Sequence, residues 1–416
     1  MEGLKTVTYP NGFELRYIDD PGLRNIKLRL AVDAGVGHEM PHEYGAAHFI
    51  EHVVASGGSE NFSVEDSARI MTNCNMNAFT GFDATHYTAS VVPEDLELAL
   101  VYMWGMTENP RFDPAVVERE RDAVLGEIRE RRNEPDMVLF DEFFHIVYDS
   151  DPWRRLGNIS VLGPEDHVRN YSPDDLRRTF SRLTKKKNTT LYLMGPIGKC
   201  HDDIEESVSE LFGTESGGEP PKILTPPNSG LESVRRRTFS RAGATGTKVA
   251  MGWPVELGEE NIEVYMNNLA SLMKGDYTNG LFRELRAERG LLYSIFVDFV
   301  CFKPAFDAGI FYLDFTTAPG REKEAEEVIL DHVGRYQRAE IAPGLSERFR
   351  KGNMHSVGDV MDNSGRRFDF LPKEKRYGMS LEELSALMES LGEEEIELAA
   401  KKLDTEKYAL AAEVPE

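Results

Sequence analysis

Hydrophobic and polar residues alternate along several short stretches in the first half of the chain, with the period expected of half-buried β-strands. Residues 6–18 alternate on both sides of Asn11 and Gly12, a pair typical of a hairpin turn. Residues 26–35 alternate again, and residues 75–92 are rich in Thr, Phe and Tyr, which favours two more strands. The pattern therefore predicts a hairpin followed by a series of further strands.

Between these strands, apolar residues recur with the 3.6-residue period of amphipathic helices. The first such stretch, residues 46–56, contains neither glycine nor proline and is followed by Gly57 and Gly58, which can end a helix. Later stretches predict helices over residues 94–109, 115–134, 137–150, 172–184 and 202–213, with a buried strand over residues 188–197.

The second half of the chain repeats this order of strands and helices. A strand over residues 246–255, a helix over 261–274 and a strand, turn and helix over 306–336 follow one another as in the first half. Residues 406–415 close the chain as residues 188–197 close the first half. The repeat length of roughly 200 residues indicates an internal duplication and is far too long for a solenoid.

This organisation predicts two duplicated domains of the α+β class, each a mixed, largely antiparallel sheet packed against helices. A stretch dense in Gly, Pro and Ser separates them, as expected of a linker. We predict a first domain over residues 1–213, a linker over residues 214–230 and a second domain over residues 231–416.

The formal net charge of −24 argues against nucleic acid as a partner, since few cations are left to neutralise phosphates. Cys74, Cys200 and Cys301 are too far apart for a disulfide framework, which favours a reducing compartment. The first residues lack the features of a signal peptide, and the chain has no apolar run of about 18 residues. These features predict a cytoplasmic protein with no membrane partner.

His48, Glu51 and His52 lie within the first predicted helix in the order H-x-x-E-H. Residues four apart share one helix face, so both imidazoles can reach a single Zn²⁺ at roughly 2.0–2.1 Å. Glu51 lies beside them, where a carboxylate can take a proton from water activated by the metal. This order is typical of inverzincins and predicts hydrolytic chemistry. The competing interpretation is an amphipathic helix with two satisfied core histidines.

A catalytic zinc site requires a third protein ligand and an open position for water. The helix predicted over residues 115–134 offers two candidates, because Glu120 and Glu127 fall on or beside its apolar stripe, about two turns apart. A carboxylate on an apolar face needs a partner, and a metal is one. The spacing favours Glu127 and leaves Glu120 as the alternative.

Four segments of the sequence resemble the pitrilysin-insulysin family of zinc metallopeptidases, especially its short two-domain members such as the mitochondrial processing peptidase β subunit. The segments are residues 45–52 (GAAHFIEH), 77–91 (NAFTGFDATHYTASV), 118–128 (ERERDAVLGEI) and 281–296 (LFRELRAERGLLYSIF). They span most of the chain, and the combination is highly specific to this family.

The resemblance implies the roles of the candidate metal residues. By position, the ligands of the zinc ion fall on His48, His52 and Glu127, and the base that activates water falls on Glu51. Glu120 then matches an acid that orients a ligand. The second copy of the duplication has no H-x-x-E-H, so we expect one zinc ion per chain.

The same resemblance implies substrate-binding residues in both domains. Asn77 and Ala78 match a strand that pairs with the backbone of an extended peptide. Arg286 and Tyr293 match an Arg and a Tyr on the far wall of a chamber, where the phenol can donate to the oxyanion formed during hydrolysis. Peptides are therefore the expected substrates.

We expect a zinc endopeptidase that cuts short or unfolded peptides inside a closed chamber. The alternative is a structural or assembly subunit that keeps the peptidase fold; loss of His48, Glu51, His52 or Glu127 would favour it, and all four are present. Long family members close the chamber from two halves of about this chain's size. We therefore expect half of a clamshell, completed by a homodimer whose active site is shared between its chains.

Overall fold

The computed structural model describes residues 3–148, 153–156, 161–201, 203–214, 217–223, 231–303, 306–340 and 345–416. The chain forms two compact units, one built from Met1–Arg132 and Asn158–Leu224, the other from Asn133–Gly157 and Thr225–Glu416. Each unit has its own mixed sheet and its own main hydrophobic core.

The first unit contains a six-stranded sheet. Its strands are β1 (Leu4–Thr8), β2 (Glu14–Asp19), β3 (Ile26–Val32), β4 (Asn77–Thr80), β5 (Thr85–Val91) and β6 (Thr189–Gly195). The order across the sheet is β1-β2-β6-β3-β5-β4, with β2 and β6 parallel and the other neighbours antiparallel. The predicted hairpin between β1 and β2 is confirmed, and Gly12 in its turn has a φ of 87°, which favours glycine.

The second unit contains a five-stranded sheet. Its strands are β7 (Arg235–Arg241), β8 (Thr247–Glu256), β9 (Leu292–Cys301), β10 (Ala308–Thr317) and β11 (Ala409–Pro415). The order β7-β11-β8-β10-β9, with only β7 and β11 parallel, repeats the order β2-β6-β3-β5-β4 of the first unit. The two sheets thus share one topology, as a duplication requires, and the predicted α+β class is confirmed.

Helices follow the strands in both units. In chain order they are α1 (Ala46–Gly57), α2 (Val64–Asn73), α3 (Leu96–Glu108), α4 (Pro114–Asn133), α5 (Pro135–Val147), α6 (Glu165–Asn170), α7 (Pro173–Leu183), α8 (Ile204–Phe212), α9 (Ile262–Lys274), α10 (Glu322–Gln337), α11 (Leu345–Asp362), α12 (Ser364–Tyr377), α13 (Leu381–Ser390) and α14 (Glu393–Ala400). A π-helix, Phe282–Glu288, precedes β9. Within the described ranges, none of these helices is both long enough and apolar enough to cross a bilayer.

The core of the first unit lies between the sheet and the apolar stripes of its helices. Ile26, Leu28 and Leu30 of β3 are fully buried, whereas Lys27 and Arg29 between them are partly exposed. Phe49 and Val53 of α1 join the same core. Burying each such side chain stabilises the fold by roughly 1.5–3 kcal/mol, so this packing fixes α1 against the sheet.

Helix α5 packs on the sheet of the second unit. The Phe143 ring lies so close to Gly252 that a Cβ at that position would stand 2.9 Å from it. The Phe140 ring meets the Tyr312 ring edge to face, with centroids 5.4 Å apart. Residues 133–157 accordingly belong to the second unit, whereas the predicted boundary at residue 213 assigned them to the first domain.

Some elements were absent from the sequence analysis, and some of its segments lie outside the described residues. The missed elements are α2, α6, α11, α12, α13, α14, β7, β9 and the π-helix. Of the predicted linker, residues 215–216 and 224–230 lie outside the described ranges, as do residues 149–150 of the helix predicted over 137–150.

Candidate active site

The helix that carries the H-x-x-E-H order, α1, is flanked by glycines. Gly45, before the first turn, has a φ of 88°, and Gly58, after the last, has a φ of 76°. The buried carboxylate of Glu39 accepts hydrogen bonds from the backbone N–H groups of Gly45 at 3.1 Å and Ala47 at 2.7 Å. A carboxylate at this end of a helix satisfies donors that have no partner in the helix and complements its dipole. Glu39 thus fixes the start of α1, one turn before His48.

Helices α1 and α4 bring the three predicted zinc ligands together. Oε2 of Glu127 lies 3.5 Å from Nε2 of His48 and 3.8 Å from Nε2 of His52. The ligand atoms of the three residues all lie within 4.8 Å of one another, and this is the one group in the described part of the chain with suitable metal-ligand geometry. Two atoms that share a tetrahedral ion at roughly 2.0–2.1 Å would stand roughly 3.3 Å apart. The three residues therefore fit a zinc ion.

The protonation of His48 suits a metal ligand. Burial, together with the charges of His52 and Arg131, lowers the pKa of His48 to about 3. The imidazole is therefore neutral near pH 7 and keeps a lone pair for a metal. Its Nδ1 is buried and has no hydrogen-bond partner among the described residues.

Glu120 contacts the imidazole of His52, the second predicted zinc ligand. Its Oε2 lies 3.3 Å from Nδ1 of His52, and its Oε1 accepts hydrogen bonds from Ser56 at 2.7 Å and from Arg119 at 2.9 Å. Burial alone would raise the pKa of Glu120, but the hydrogen bonds from His52, Ser56 and Arg119 outweigh it and lower the pKa to about 2. Glu120 is therefore ionised and accepts from Nδ1–H, which leaves Nε2 of His52 free to bind a metal.

Glu51 lies between the two histidines in the chain and is also buried, with 7% of its surface exposed. The hydroxyl of Thr80, on β4, donates to its Oε2 at 3.0 Å. Burial raises the pKa of Glu51, and the charge of Glu127 acts in the same direction. The predicted base is thus held by one hydrogen bond and surrounded by protein rather than by bulk water.

The predicted peptide-binding residues Asn77 and Ala78 begin β4, the last strand of its sheet. They pair with Thr88 and Tyr87 of β5, and the other edge of β4 is not paired with any strand that the structure describes. The carbonyl of Asn77 accepts a hydrogen bond from the Thr88 hydroxyl at 3.2 Å. An open edge of this kind can accept an extended peptide as a further strand.

Arg286 and Tyr293 lie in the second unit and touch each other. Nη1 of Arg286 donates to the backbone oxygen of Tyr293 at 2.6 Å, and its Cζ lies 4.7 Å from the centre of the Tyr293 ring. The Tyr293 side chain is largely exposed. The phenol and the rest of the guanidinium are therefore available to a ligand.

Glu39 and Thr80 were not predicted from the sequence. Glu39 precedes the helix by more residues than an ordinary capping residue does, so no local pattern indicates it. Thr80 belongs to a segment that was already singled out, residues 77–91, but nothing in the sequence indicates that its hydroxyl faces Glu51.

Comparison with known proteins gives matches over most of the chain. Residues 16–156 match the family described as Insulinase (Peptidase family M16), and residues 170–351 match the Peptidase M16 inactive domain. A Bacillus subtilis protein named uncharacterized zinc protease YmxG is 24% identical over 419 residues, which cover 98% of this chain and 97% of that protein. The mitochondrial-processing peptidase subunit beta of Saccharomyces cerevisiae is 28% identical over 232 residues, 55% of this chain and 48% of that protein.

A solved structure of a protease from Helicobacter pylori has the same fold. It superposes with a TM-score of 0.84 at 19% identity and covers 99% of both chains. The predicted resemblance is therefore confirmed, and the chain belongs to the insulinase-like peptidase family M16.

Proposed function

We propose that this chain is a zinc-dependent endopeptidase that hydrolyses short or unfolded peptides. The observation that carries the proposal is the convergence of His48, His52 and Glu127 on one point, with Glu51 in the same helix. Relatives named zinc proteases support the same activity. Among divalent ions, zinc best suits a site of two imidazoles and one carboxylate.

His48, His52 and Glu127 would hold the ion, and Glu120 would keep the His52 ring in the orientation that directs Nε2 to it. A zinc ion held there would supply Lewis-acid polarisation of the scissile carbonyl and of the attacking water. Glu51 takes a proton from the water molecule as the water oxygen attacks the carbonyl carbon. Glu51 then delivers that proton to the amide nitrogen as the C–N bond breaks, so that a carboxylic acid and an amine leave.

Substrate selection follows from the open edge of β4. A peptide that adds to this edge is recognised through its backbone N–H and C=O groups, which are the same for every residue type. Only an extended segment can pair in this way, which supports short or unfolded substrates. Arg286 and Tyr293 would donate hydrogen bonds to substrate oxygens.

We further propose a homodimer in which Arg286 and Tyr293 of one chain complete the active site of the other. This proposal rests on the resemblance to longer family members, whose chamber is closed by two halves of about this size. A symmetric pair would then contain two equivalent sites.

The alternative function is a structural or assembly subunit without activity. Such a subunit has no use for a Glu120 carboxylate that orients the His52 ring, or for a buried Glu51 whose desolvation is offset by a single hydrogen bond, from Thr80. The presence of both acids supports the enzyme.

The experiment is cleavage of a library of unstructured peptides by the purified protein, before and after removal of metal and with zinc added back. Glu51→Gln should retain zinc and cleave roughly 10²–10⁴ times more slowly, because the amide cannot accept the proton. Glu65→Gln, an exposed acid on α2, is the matched control. A Glu51→Gln protein that cleaves within a few-fold of the parent would overturn the assignment of the base.

A further inference from the structure

The guanidinium of Arg286 is enclosed by aromatic rings. Its Cζ lies 4.7 Å from the ring centre of Tyr293, 5.1 Å from that of Phe282 and 5.8 Å from that of Tyr277. The Tyr277 and Phe282 rings meet edge to face with centroids 4.8 Å apart. Each ring attracts a cation that lies near its face, so the three together restrict where the guanidinium can point.

No carboxylate in the described part of the chain forms an ion pair with Arg286, although acids surround it in the sequence. Glu288 pairs with Arg283 at 2.8 Å. Glu284 receives hydrogen bonds from Arg289, His332 and Arg335 at 2.8–2.9 Å. The two acids of the π-helix are thus paired with other bases. In a chain of net charge −24, an arginine that stays unpaired is available for an oxygen that comes from elsewhere.

Tyr277 has no evident role in the core. Its side chain is 66% exposed, and it lies in a short turn fixed by Asp276, whose carboxylate accepts hydrogen bonds from the N–H and hydroxyl of Thr278, both at 2.6 Å. Gly275 at the start of this turn has a φ of 64°. The turn is therefore well determined, and it presents an aromatic ring to solvent beside an unpaired cation.

We propose that Tyr277 is a positioning residue for peptide binding. Together with Phe282 and Tyr293, it holds the Arg286 guanidinium away from acids of the chain and directs its remaining N–H groups at an oxygen of the bound peptide. The inference rests on the proposed function, since the peptide is the ligand. It assigns to Tyr277 a role that acts only through Arg286.

The test is a double-mutant cycle on peptide binding, in the Glu51→Gln background so that no peptide is cleaved. Zinc-loaded protein is titrated into a fluorescein-labelled unstructured peptide, and anisotropy gives the Kd. Tyr277→Leu should weaken binding about three- to tenfold, because the guanidinium loses one wall of its enclosure. Tyr277→Phe, which keeps the ring, should bind as the parent does. Tyr277→Gln provides a second replacement without a ring, and thermal melting checks that each variant folds.

The decisive comparison uses Arg286→Met. If Tyr277 acts through Arg286, Tyr277→Leu should have no further effect once Arg286 is replaced. Equal binding by the parent and by Tyr277→Leu would overturn the inference. So would a Tyr277→Leu effect on the Kd that is just as large in the Arg286→Met background as in the parent. If the parent carries zinc but binds no peptide, the proposed function fails. If the parent binds peptide and Tyr277→Leu binds it equally well, only the inference about Tyr277 fails.

Discussion

Nδ1 of His52 lies 3.3 Å from Oε2 of Glu120, so an imidazole on one helix is fixed by a carboxylate on another. Such a partner sets which ring nitrogen carries the proton and raises the basicity of the nitrogen that faces the metal. The contact also gives Glu120 a partner on the apolar stripe of α4, which it shares with Glu127.

We expect Glu120→Gln to weaken zinc binding by roughly 10–100-fold, the usual effect of losing such a partner. The amide can present its N–H groups to Nδ1 and no longer fixes the tautomer. Competition with a chelator of known affinity measures the change. Glu118→Gln, an exposed acid on the same helix, is the control and should leave zinc affinity unchanged. Equal affinities for all three proteins would exclude an orienting role for Glu120.

Removal of a ligand should have a larger effect. His48→Ala and Glu127→Ala should each reduce the zinc content from about one ion per chain to a small fraction, because two ligands hold zinc far more weakly than three. Metal analysis after dialysis measures this content. Glu130→Ala, exposed on α4, is the control. Full occupancy in either ligand variant would show that the ion binds elsewhere.

The hydrogen bond from Thr80 to Glu51 should affect turnover more than metal binding. Thr80→Val keeps the shape of the side chain and removes the donor, which should cost roughly 0.5–1.5 kcal/mol, or about two- to tenfold in kcat. Thr80→Ser restores the hydroxyl and should recover the rate. A rate unchanged in Thr80→Val, at equal zinc content, would show that this hydrogen bond does not position the base.

Glu284 should contribute to stability in a pH-dependent manner. Burial would raise the pKa of Glu284, but hydrogen bonds from Arg335, His332 and Arg289 lower it from 4.5 to about 2. The folded state therefore gains stability from this group above pH 4.5 and loses it as the pH falls towards 2.

Glu284→Gln should accordingly destabilise the protein by about 1–2 kcal/mol at neutral pH, since the group is partly screened by solvent. The difference from the parent should shrink between pH 4.5 and 3. Urea unfolding at several pH values measures it, with Glu327→Gln, an exposed acid of α10, as the control. A loss of equal size at pH 7 and pH 3 would contradict a role of the Glu284 charge.

Subunit mixing tests the proposed homodimer. Inactive Glu51→Gln protein is combined with weakened Tyr293→Phe protein under conditions that allow exchange. If the site is shared between chains, a mixed dimer contains one site with an intact Glu51 and an intact Tyr293, so roughly a quarter of all sites should recover. Activity no higher than the mean of the two parents, with exchange confirmed by a tag on one variant, would show that each chain uses its own Tyr293.

The local features of the fold were predictable because short-range chemistry determines them. Asn11 and Gly12 suit a hairpin turn in any context, and the residues from Ala46 to Gly57 form a helix because no breaker interrupts them. The order of elements in the two halves also indicated the duplication before the sheets were known. His48, His52 and Glu127 followed from spacing together with the family resemblance.

Features that depend on long-range contacts were not predictable. Glu39 reaches α1 from a preceding loop, and Thr80 meets Glu51 only because β4 packs beside α1. The enclosure of Arg286 likewise depends on how a π-helix and a turn lie relative to each other. The hydrophobic pattern of the sequence does not predict that arrangement. Helix α5 belongs to the second unit although sequence order places it next to α4 of the first, and no local pattern indicates that.

The position of α5 determines how the gene can be divided. A fragment that ends at residue 213 would carry Phe143 and Phe144, which are buried in the whole chain, without the sheet that covers Phe143. A fragment that starts at residue 231 would lack the same helix, and with it the rings of Phe143 and Phe140 that pack against Gly252 and Tyr312. Neither half is therefore suited to expression by itself. Residues 133–157 fused ahead of residues 225–416 would keep every residue of the second unit in one fragment.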